Sequence, residues 1–462
     1  MKDKSKKRKI IISVLISVIA LIILVWCLFN GIYEIKEVNG NSQININIVS
    51  LSQISTLLIG IFMISGLGFL FGKIKVKGIS FGTAGVFLVA ILFGYLFTLP
   101  FLKEIPVLNS FYIENVDSTM NYYYSKVIAN IGLVFFVSSI GFGAGPKFFS
   151  NLKTKGKKLI ILVLSITLTS GVLAFLFGLI PSIGPLFSVG LLAGANTTTP
   201  GFASAIEAAE SIGASTELVK LGYAVAYPFG VINIVLFIQV LPKLLKVDVK
   251  KEAKNIHIES TPNEIENTKL YKIDRLGLSS IAISIFLGIL LGSIKIPVTF
   301  KGYDGYCFSL GNTGGILFVS ILMGHIKKVG KLSIEVDEKS INVLRELGLV
   351  FFLLGTGVAG GVSLVSEINK NGGMIIVYGI LAALVLSILP LVIGFIISRK
   401  VLKLNTVESL GSITGGRTST PALGMLIETT GSSDVSSLYT STYPMALILV
   451  VLIPQIILSI LL

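Results

Sequence analysis

The sequence predicts an all-α polytopic membrane protein, from three observations: a shortage of charge, a one-sided distribution of lysine and arginine, and an internal repeat. The 462 residues are 53% hydrophobic and only 13% charged, with a mean hydropathy of +0.88. An ordinary soluble domain carries roughly 25% charged residues, so a water-soluble globule is excluded, and nucleic-acid binding with it. Crossing about 30 Å of hydrocarbon takes about 20 helical residues, and the chain offers many apolar runs of that order. The expected architecture is two inverted repeats, each of five transmembrane helices plus one re-entrant hairpin, with one extra helix at the amino terminus.

Residues 1–31 hold the basic run Lys2, Lys4, Lys6, Lys7, Arg8 and Lys9, then the extra helix at 10–29, which has no charge. A secretory core is shorter, about 7–15 residues, and no small-residue cleavage site follows, so the segment reads as an anchor. After a polar stretch at 39–47 comes the first repeat, 48–245, with spans near 51–71, 82–99, 127–144, 159–180 and 223–241. Residues 246–274 are a mixed-charge linker too short and polar to bury a core. The second repeat, 275–462, has spans near 276–294, 308–326, 347–365, 374–397 and 438–460. One segment in each repeat, about 184–209 and about 407–430, is rich in Gly, Thr, Ser and Pro and too interrupted to cross. Irregular backbone at membrane depth is tolerated where it lines an enclosed cavity, so each reads as a re-entrant hairpin.

With a cytoplasmic amino terminus, this arrangement places thirty of the 38 Lys and Arg on the cytoplasmic side. Seven lie outside: Lys36, Lys103, Lys126, Lys220, Lys295, Lys301 and Lys370. That asymmetry is the positive-inside rule, and it would be lost if either hairpin crossed fully, because every later loop would change sides. The carboxyl terminus is then outside. The net charge of +14 therefore reports orientation rather than an acidic partner. Cys27 and Cys307 lie far apart and read as unpaired thiols.

The repeat is visible in the residues. Ile131-Gly-Leu-Val-Phe-Phe136 recurs as Leu347-Gly-Leu-Val-Phe-Phe352, and each is followed by a Gly-rich run, 141–145 and 357–361. Thr83-Ala-Gly-Val86 parallels Thr313-Gly-Gly-Ile316, and Tyr227-Pro228 parallels Tyr443-Pro444. The hairpins share Gly190-Leu-Leu-Ala-Gly-Ala-Asn-Thr-Thr-Thr-Pro200 and Gly411-Ser-Ile-Thr-Gly-Gly-Arg-Thr-Ser-Thr-Pro421. Five spans per repeat is an odd number, so the second copy sits upside down, the inverted topology of many secondary transporters. The two hairpin tips then meet near the midplane.

The candidate site is built from those tips. Thr199 and Thr420 suit a helix N-cap, with Pro200 and Pro421 first in the helix, where a missing N–H costs least. A helix starting inside the membrane presents free N–H groups and the positive end of its dipole, which suits a carboxylate. Thr197, Thr198, Thr418 and Ser419 add hydroxyls, and unwound carbonyls suit a cation. The alternative is that Gly and Thr only let helices pack closely. Arg417 stands where the first hairpin has Asn196, and the chain has only five arginines. A guanidinium at membrane depth costs at least about 2.5–3.5 kcal/mol, so it needs a partner: a substrate carboxylate held bidentately, or a structural ion pair with Glu428 or Glu408. Glu207 and Glu428 each follow their Pro by seven residues, which carries them about 10 Å from the tip. They read as solvated hairpin exits or as coupling-ion sites. Tyr227, Asn233, Thr440 and Tyr443, beside the helix-kinking Pro228 and Pro444, are candidate pathway residues. The run at 141–145 lacks the strand and acidic residue of a dinucleotide loop, and no catalytic triad or metal motif is present, so neither an enzyme nor a cofactor is expected.

Gly132-Leu-Val-Phe-Phe-Val137, Gly141-Phe-Gly-Ala-Gly-Pro-Lys-Phe-Phe149, Leu191 to Pro200, Tyr223-Ala-Val-Ala-Tyr-Pro-Phe-Gly230, Leu310-Gly-Asn-Thr-Gly-Gly315 and Gly411 to Pro421 resemble the aspartate:alanine exchanger family of bacterial transporters. The resemblance runs in order from Leu51 to the carboxyl end. It implies exchange of amino acids or dicarboxylates across a bacterial inner membrane, with the paired hairpins beside the transport path. The chain departs from the family by its extra amino-terminal helix and by lacking the large cytoplasmic domains many members carry between the halves. The expected partners are a small organic anion or amino acid, the lipid bilayer, and a second copy as a homodimer. The rival readings are a sodium- or proton-coupled symporter or exporter of organic anions and, from another class, an ion channel or membrane sensor.

Overall fold

Large apolar side chains such as Phe62, Leu70, Phe286, Leu381 and Ile460 face outward on the helices, as they do where the surrounding solvent is lipid rather than water. The computed structural model describes residues 33–38, 41–46, 53–73, 83–105, 108–114, 118–154, 156–253, 271–294, 296–297, 307–308, 310–432 and 435–462. The expected helix at 10–29 lies outside the described residues.

The first half comprises α1 (Gln53–Gly72), α2 (Ala84–Leu96), α3 (Ala129–Thr154), α4 (Gly156–Gly178), α5 (Gly184–Ala195), α6 (Thr199–Ser211) and α7 (Glu217–Leu244). A short helix, Thr119–Tyr122, and a π-helical stretch, Tyr123–Ile128, lead directly into α3. After α8 (Val249–Ala253) the second half repeats the order: α9 (Leu278–Gly292), α10 (Gly311–Ile326), α11 (Glu338–Asn371), α12 (Met374–Ile396), α13 (Thr406–Gly416), α14 (Thr420–Thr430) and α15 (Ser436–Leu461). Among the described residues seven helices are long and apolar enough to cross a membrane: α1, α3, α4, α7, α11, α12 and α15. The chain is an all-α polytopic membrane protein.

The three remaining expected spans are shorter than the roughly 20 residues a full crossing needs. The helices α2, α9 and α10 have 13, 15 and 16 residues. Left-handed glycines mark two of their starts, Gly277 before α9 (φ 78°) and Gly311 at the head of α10 (φ 64°), while Pro100 opens a separate turn soon after α2. The polar stretch before α1 pairs as an antiparallel hairpin, Tyr33–Val38 with Asn41–Ile46.

The helices pack as two groups. In one, α3 and α11 cross centrally, α2 lies on α11, α10 on α3, and α1 and α9 flank these. The other holds the half-helices, with α5 on α7, α13 on α15, and α4 and α12 around them. The α3–α11 crossing is reciprocal. A Cβ on Gly348 would lie 2.5 Å from Phe136 N and 2.6 Å from the Gly132 carbonyl, and one on Gly132 would meet Phe352 N and lie 2.6 Å from the Gly348 carbonyl. The twice-written Gly-Leu-Val-Phe-Phe motif thus packs against its own copy, as elements related by a two-fold do.

The linker is tied down at several points, among them a short parallel pairing of Tyr271–Lys272 with Leu332–Ser333. Glu252 of α8 accepts a hydrogen bond from Val407 N at 3.0 Å, in the first turn of α13. Asp274 accepts from the hydroxyl and amide of Ser279 and from the amides of Leu276, Gly277 and Leu278, at the head of α9. Those bonds, the Ser279 hydroxyl foremost, hold the Asp274 carboxyl well below the usual carboxylate range. A depressed carboxylate stabilises the fold above its unfolded pKa and ceases to do so as pH falls through its folded value. Asp274→Ala should therefore lower the unfolding temperature at neutral pH, and the gap to wild type should close as pH is lowered through and below about 4. Thermal unfolding in detergent across that range is the check.

Candidate functional site

The two hairpins are built alike. The half-helices α5 and α6 are joined through Asn196, Thr197 and Thr198, and α13 and α14 through Arg417, Thr418 and Ser419. Thr197 (φ 53°) and Thr418 (φ 52°) are both left-handed although neither is glycine, a strain of about 1–2 kcal/mol at each tip. The strain lets the chain satisfy the carbonyls that end the first half-helix. Thr197 and Thr198 donate to Gly194 and Ala193, and Thr418 and Ser419 donate to Gly415 and Thr414, all at 2.9–3.1 Å.

Because one left-handed residue completes the turn, the second half-helix restarts one residue earlier than expected. Thr198 and Ser419 are the N-caps, not Thr199 and Thr420, and Pro200 and Pro421 take the second helical position. The Thr198 hydroxyl accepts from Gly201 N at 3.3 Å. No side-chain cap is made by Ser419.

A cavity of about 1090 Å³ reaches both tips. Thr197, Thr199, Pro200 and Thr418 line its inner end, and Tyr227, Tyr439, Thr440 and Tyr443 its wall. Its charged lining is balanced, with Lys272, Arg275, Lys327 and Arg345 beside Glu335, Asp337, Glu338 and Glu346. Thr197 and Thr418 are 7% and 5% exposed, and their hydroxyls have no hydrogen-bond partner in the structure. An unpartnered buried hydroxyl is costly, and both belong to residues that line the cavity at the tips.

The structure separates the other candidates from this group. Asn196 is buried and accepts from Ser170 at 3.2 Å. Asn233 donates to Ser387 at 2.7 Å, joining α7 to α12. The Ser419 hydroxyl is buried and unpartnered but does not line the cavity. Arg417 is 2% exposed, and its guanidinium donates to the Leu386 carbonyl at 3.2 Å and to the Ala195 carbonyl. Of its two expected ion-pair partners, Glu408 closes a capping box with Asn405 instead, and the Glu428 side chain lies outside the described residues, as do those of Thr420 and Pro421.

Two residues read as solvated are engaged. Glu207 accepts from Thr313 N through both oxygens at 3.1 Å, at the first turn of α10, where an anion meets the positive dipole end. Lys220, expected in an outer loop, is buried and paired with Glu217 at 3.0 Å, and Glu217 accepts from Ser363 of α11. The Glu207 contact has no sequence mark because Thr313 lies on a distant helix, whereas Glu217 and Lys220 are an i,i+3 pair within α7 and only Ser363 is distant. Among the described residues no group of three His, Cys, Asp or Glu could hold a metal ion.

Beyond the tips, Phe202 stacks on Tyr223 (centroids 3.9 Å apart, 10° between planes), with Phe87 and Phe352 packed edge-on. Past this plug lie Glu207 on Thr313, Gln455 donating to the Leu310 carbonyl at 3.0 Å, and Lys126 paired with Glu210. A separate recess of about 300 Å³ there is lined by Glu207, Gly311 and Gln455. The helix α10 runs between the two regions, from Gly311 at the sealed end to Gly324 and Lys327 beside the open cavity, a span of about 20 Å.

The motifs shared by the two halves of the sequence pair residues of the plug with residues of the cavity wall. Tyr223 and Phe352 of the plug correspond to Tyr439 and Phe136, and Phe202 corresponds to Leu423; all three counterparts line the open cavity. Thr313, held by Glu207, corresponds to Thr83, which also lines the cavity.

A protein-family model described as the membrane region of a predicted permease matches residues 60–243 and 280–459. The chain is similar to an uncharacterized transporter of Bacteroides fragilis, 28% identical with 86% of this chain and 97% of the relative covered. One from Bacteroides thetaiotaomicron is 26% identical over 86% and 97%. One from Desulfotalea psychrophila is 24% identical over 84% and 94%. The first alignment runs to 557 positions while covering 86% of a 462-residue chain, so that relative holds over a hundred residues without a counterpart here. No solved structure matches the chain.

Proposed function

The chain belongs to this permease family, the aspartate:alanine exchanger family that its motifs resemble, and on that premise we propose a secondary transporter that exchanges small carboxylate-bearing solutes by alternating access. The relatives are named only as transporters; the substrate class rests on the hairpin tips. One observation carries the reading. Residues related by the repeat are in opposite environments, with Phe202, Tyr223, Phe352 and Thr313 sealed and Leu423, Tyr439, Phe136 and Thr83 exposed to the cavity. If the two repeats are inverted, swapping their conformations seals the open end and opens the sealed one around the same tips.

In this reading the open end is cytoplasmic, since Lys272, Arg275, Lys327 and Arg345 stand there. The protein lies in a bacterial inner membrane with its amino terminus inside and its carboxyl terminus outside. The solute carboxylate sits against the first turns of α6 and α14 and the hydroxyls of Thr197 and Thr418. The positive charge of Arg417 lies behind them, with no carboxylate partner among the described residues, which favours an anion in the cavity.

The test is counterflow in reconstituted vesicles with labelled aspartate, alanine and small dicarboxylates, without an imposed ion gradient. Accumulation driven by countersubstrate alone is expected. Uptake that ignores internal solute and follows a sodium or proton gradient would make the protein a symporter or exporter. Thr197→Val and Thr418→Val keep the shape of the tips and remove one hydroxyl each. Each should raise the half-saturating solute concentration roughly tenfold, the worth of one hydrogen bond to a charged group.

A further inference from the structure

We infer that Arg417 is a positioning residue: its guanidinium is a tethered cation that fills a site built from backbone carbonyls at the crossing of the two hairpins and holds both tips as one body. The inference rests on the transport reading above, but it assigns Arg417 to the hairpins rather than to the solute.

The observation is the pair of acceptors. Ala195 is the last residue of α5, so its carbonyl is one of the orphan acceptors at the negative end of that half-helix. Leu386 belongs to α12, and the Ser387 hydroxyl next to it accepts from Asn233 rather than from the guanidinium. Arg417 itself is the C-cap of α13. One planar fork therefore ties the tip of the second hairpin to the end of the first and to a third helix. Carbonyls converging on one point where a discontinuous helix ends are the usual surroundings of a bound cation in a membrane. Here the chain supplies that cation. At 2% exposure, and absent from the cavity wall, the guanidinium is not placed to meet the solute in this conformation.

The repeat makes the device one-sided. The corresponding Asn196 carries no charge and turns its carbonyl oxygen to Ser170 of α4. The first hairpin is thus held by the second, and the two tips cannot move apart without exposing the Ala195 carbonyl and the guanidinium together. Lysine has the charge but not the rigid planar fork, so it holds both acceptors less well.

The test uses the full-length protein, Arg417→Lys and Arg417→Gly, purified and reconstituted, with labelled aspartate counterflow and free guanidinium ion as the probe. The glycine variant should lose roughly tenfold or more of its maximal rate at little change in the half-saturating aspartate concentration. Low-millimolar guanidinium should restore much of that rate in a saturable way while leaving wild type unchanged. The lysine variant should fall between the two. A direct solute contact predicts the opposite split, a raised half-saturating concentration that guanidinium does not mend, and that result overturns the inference.

Should wild type not carry aspartate, the functional reading fails instead, and thermal unfolding decides the cation site. Guanidinium at the same concentrations should then raise the unfolding temperature of the glycine variant toward wild type, and failure to do so overturns the inference. Should the glycine variant not fold, the lysine variant decides by the same split between rate and half-saturation.

Discussion

Glu207→Ala is expected to unlatch the sealed end. The Glu207 carboxylate takes Thr313 N through both oxygens at the head of α10. Its removal leaves that buried N–H unpaired, at about 1–3 kcal/mol, and forfeits a charge–dipole attraction of about 0.3–1 kcal/mol. A shift of about 2 kcal/mol changes the balance between two conformers roughly thirtyfold. Glu207→Gln retains a neutral acceptor, so it should lose only the smaller part.

The readout is maleimide labelling of Ala208→Cys, a buried position beside the recess at the sealed end, in a background with Cys27 and Cys307 replaced by serine. Labelling from the side opposite the open cavity should rise strongly with the alanine variant and weakly with the glutamine variant. Equal labelling in all three would remove Glu207 from the closure. By the repeat, Glu428→Ala should act in the reverse sense, because Thr83, the counterpart of Thr313, lines the open cavity. It should lower labelling at Ala208→Cys only if it favours the present conformation.

This latch shows where sequence reasoning stops. The helix breaks were legible because Gly, Thr and Pro at fixed spacing have local consequences: they break helices, cap them and restart them, as between Gly184–Ala195 and Thr199–Ser211 and between Thr406–Gly416 and Thr420–Thr430. The one-residue error in the caps has a local cause too, since a threonine at positive φ is a conformation no residue type announces. What the chain does not write down is which distant group meets which. Glu207 looks like a surface carboxylate until Thr313, 106 residues away, is beside it. Glu217 and Lys220 look like a loop pair until Ser363, 146 residues from Glu217, donates to the Glu217 carboxylate. Arg417 announces that it needs partners, but carbonyls are present at every residue, so nothing in the sequence singles out Ala195 and Leu386. The plug of Phe202, Tyr223 and Phe352 was missed for the same reason: in a membrane protein an aromatic in an apolar helix carries no mark of its function.

Gly348→Val should abolish the folded protein, and the reason separates packing from composition. The α3–α11 crossing brings backbone against backbone, so an added side chain meets the Phe136 amide and the Gly132 carbonyl rather than a flexible side chain that could swing away. Overpacking a core usually costs about 1–3 kcal/mol because neighbours adjust; here the helices themselves must part, and with them the contacts that α2 and α10 make on α11 and α3. A fluorescent fusion run on size exclusion should show no monodisperse peak for this variant. Gly143→Ala, in the Gly-rich run of the same helix α3, is the control, since its nearest neighbour would be Ile341 Cγ2 at 3.7 Å, and it should elute as wild type. Gly132→Val should match Gly348→Val, and the reciprocity adds a sharper expectation for the alanine pair. Gly132→Ala and Gly348→Ala each force apart the same two backbones, so once one is present the second has less left to displace. Their combined loss of unfolding temperature should fall short of the sum of the single losses. Strict additivity would mean that the two glycines relax independently, and that the repeated motif does not pack against its own copy.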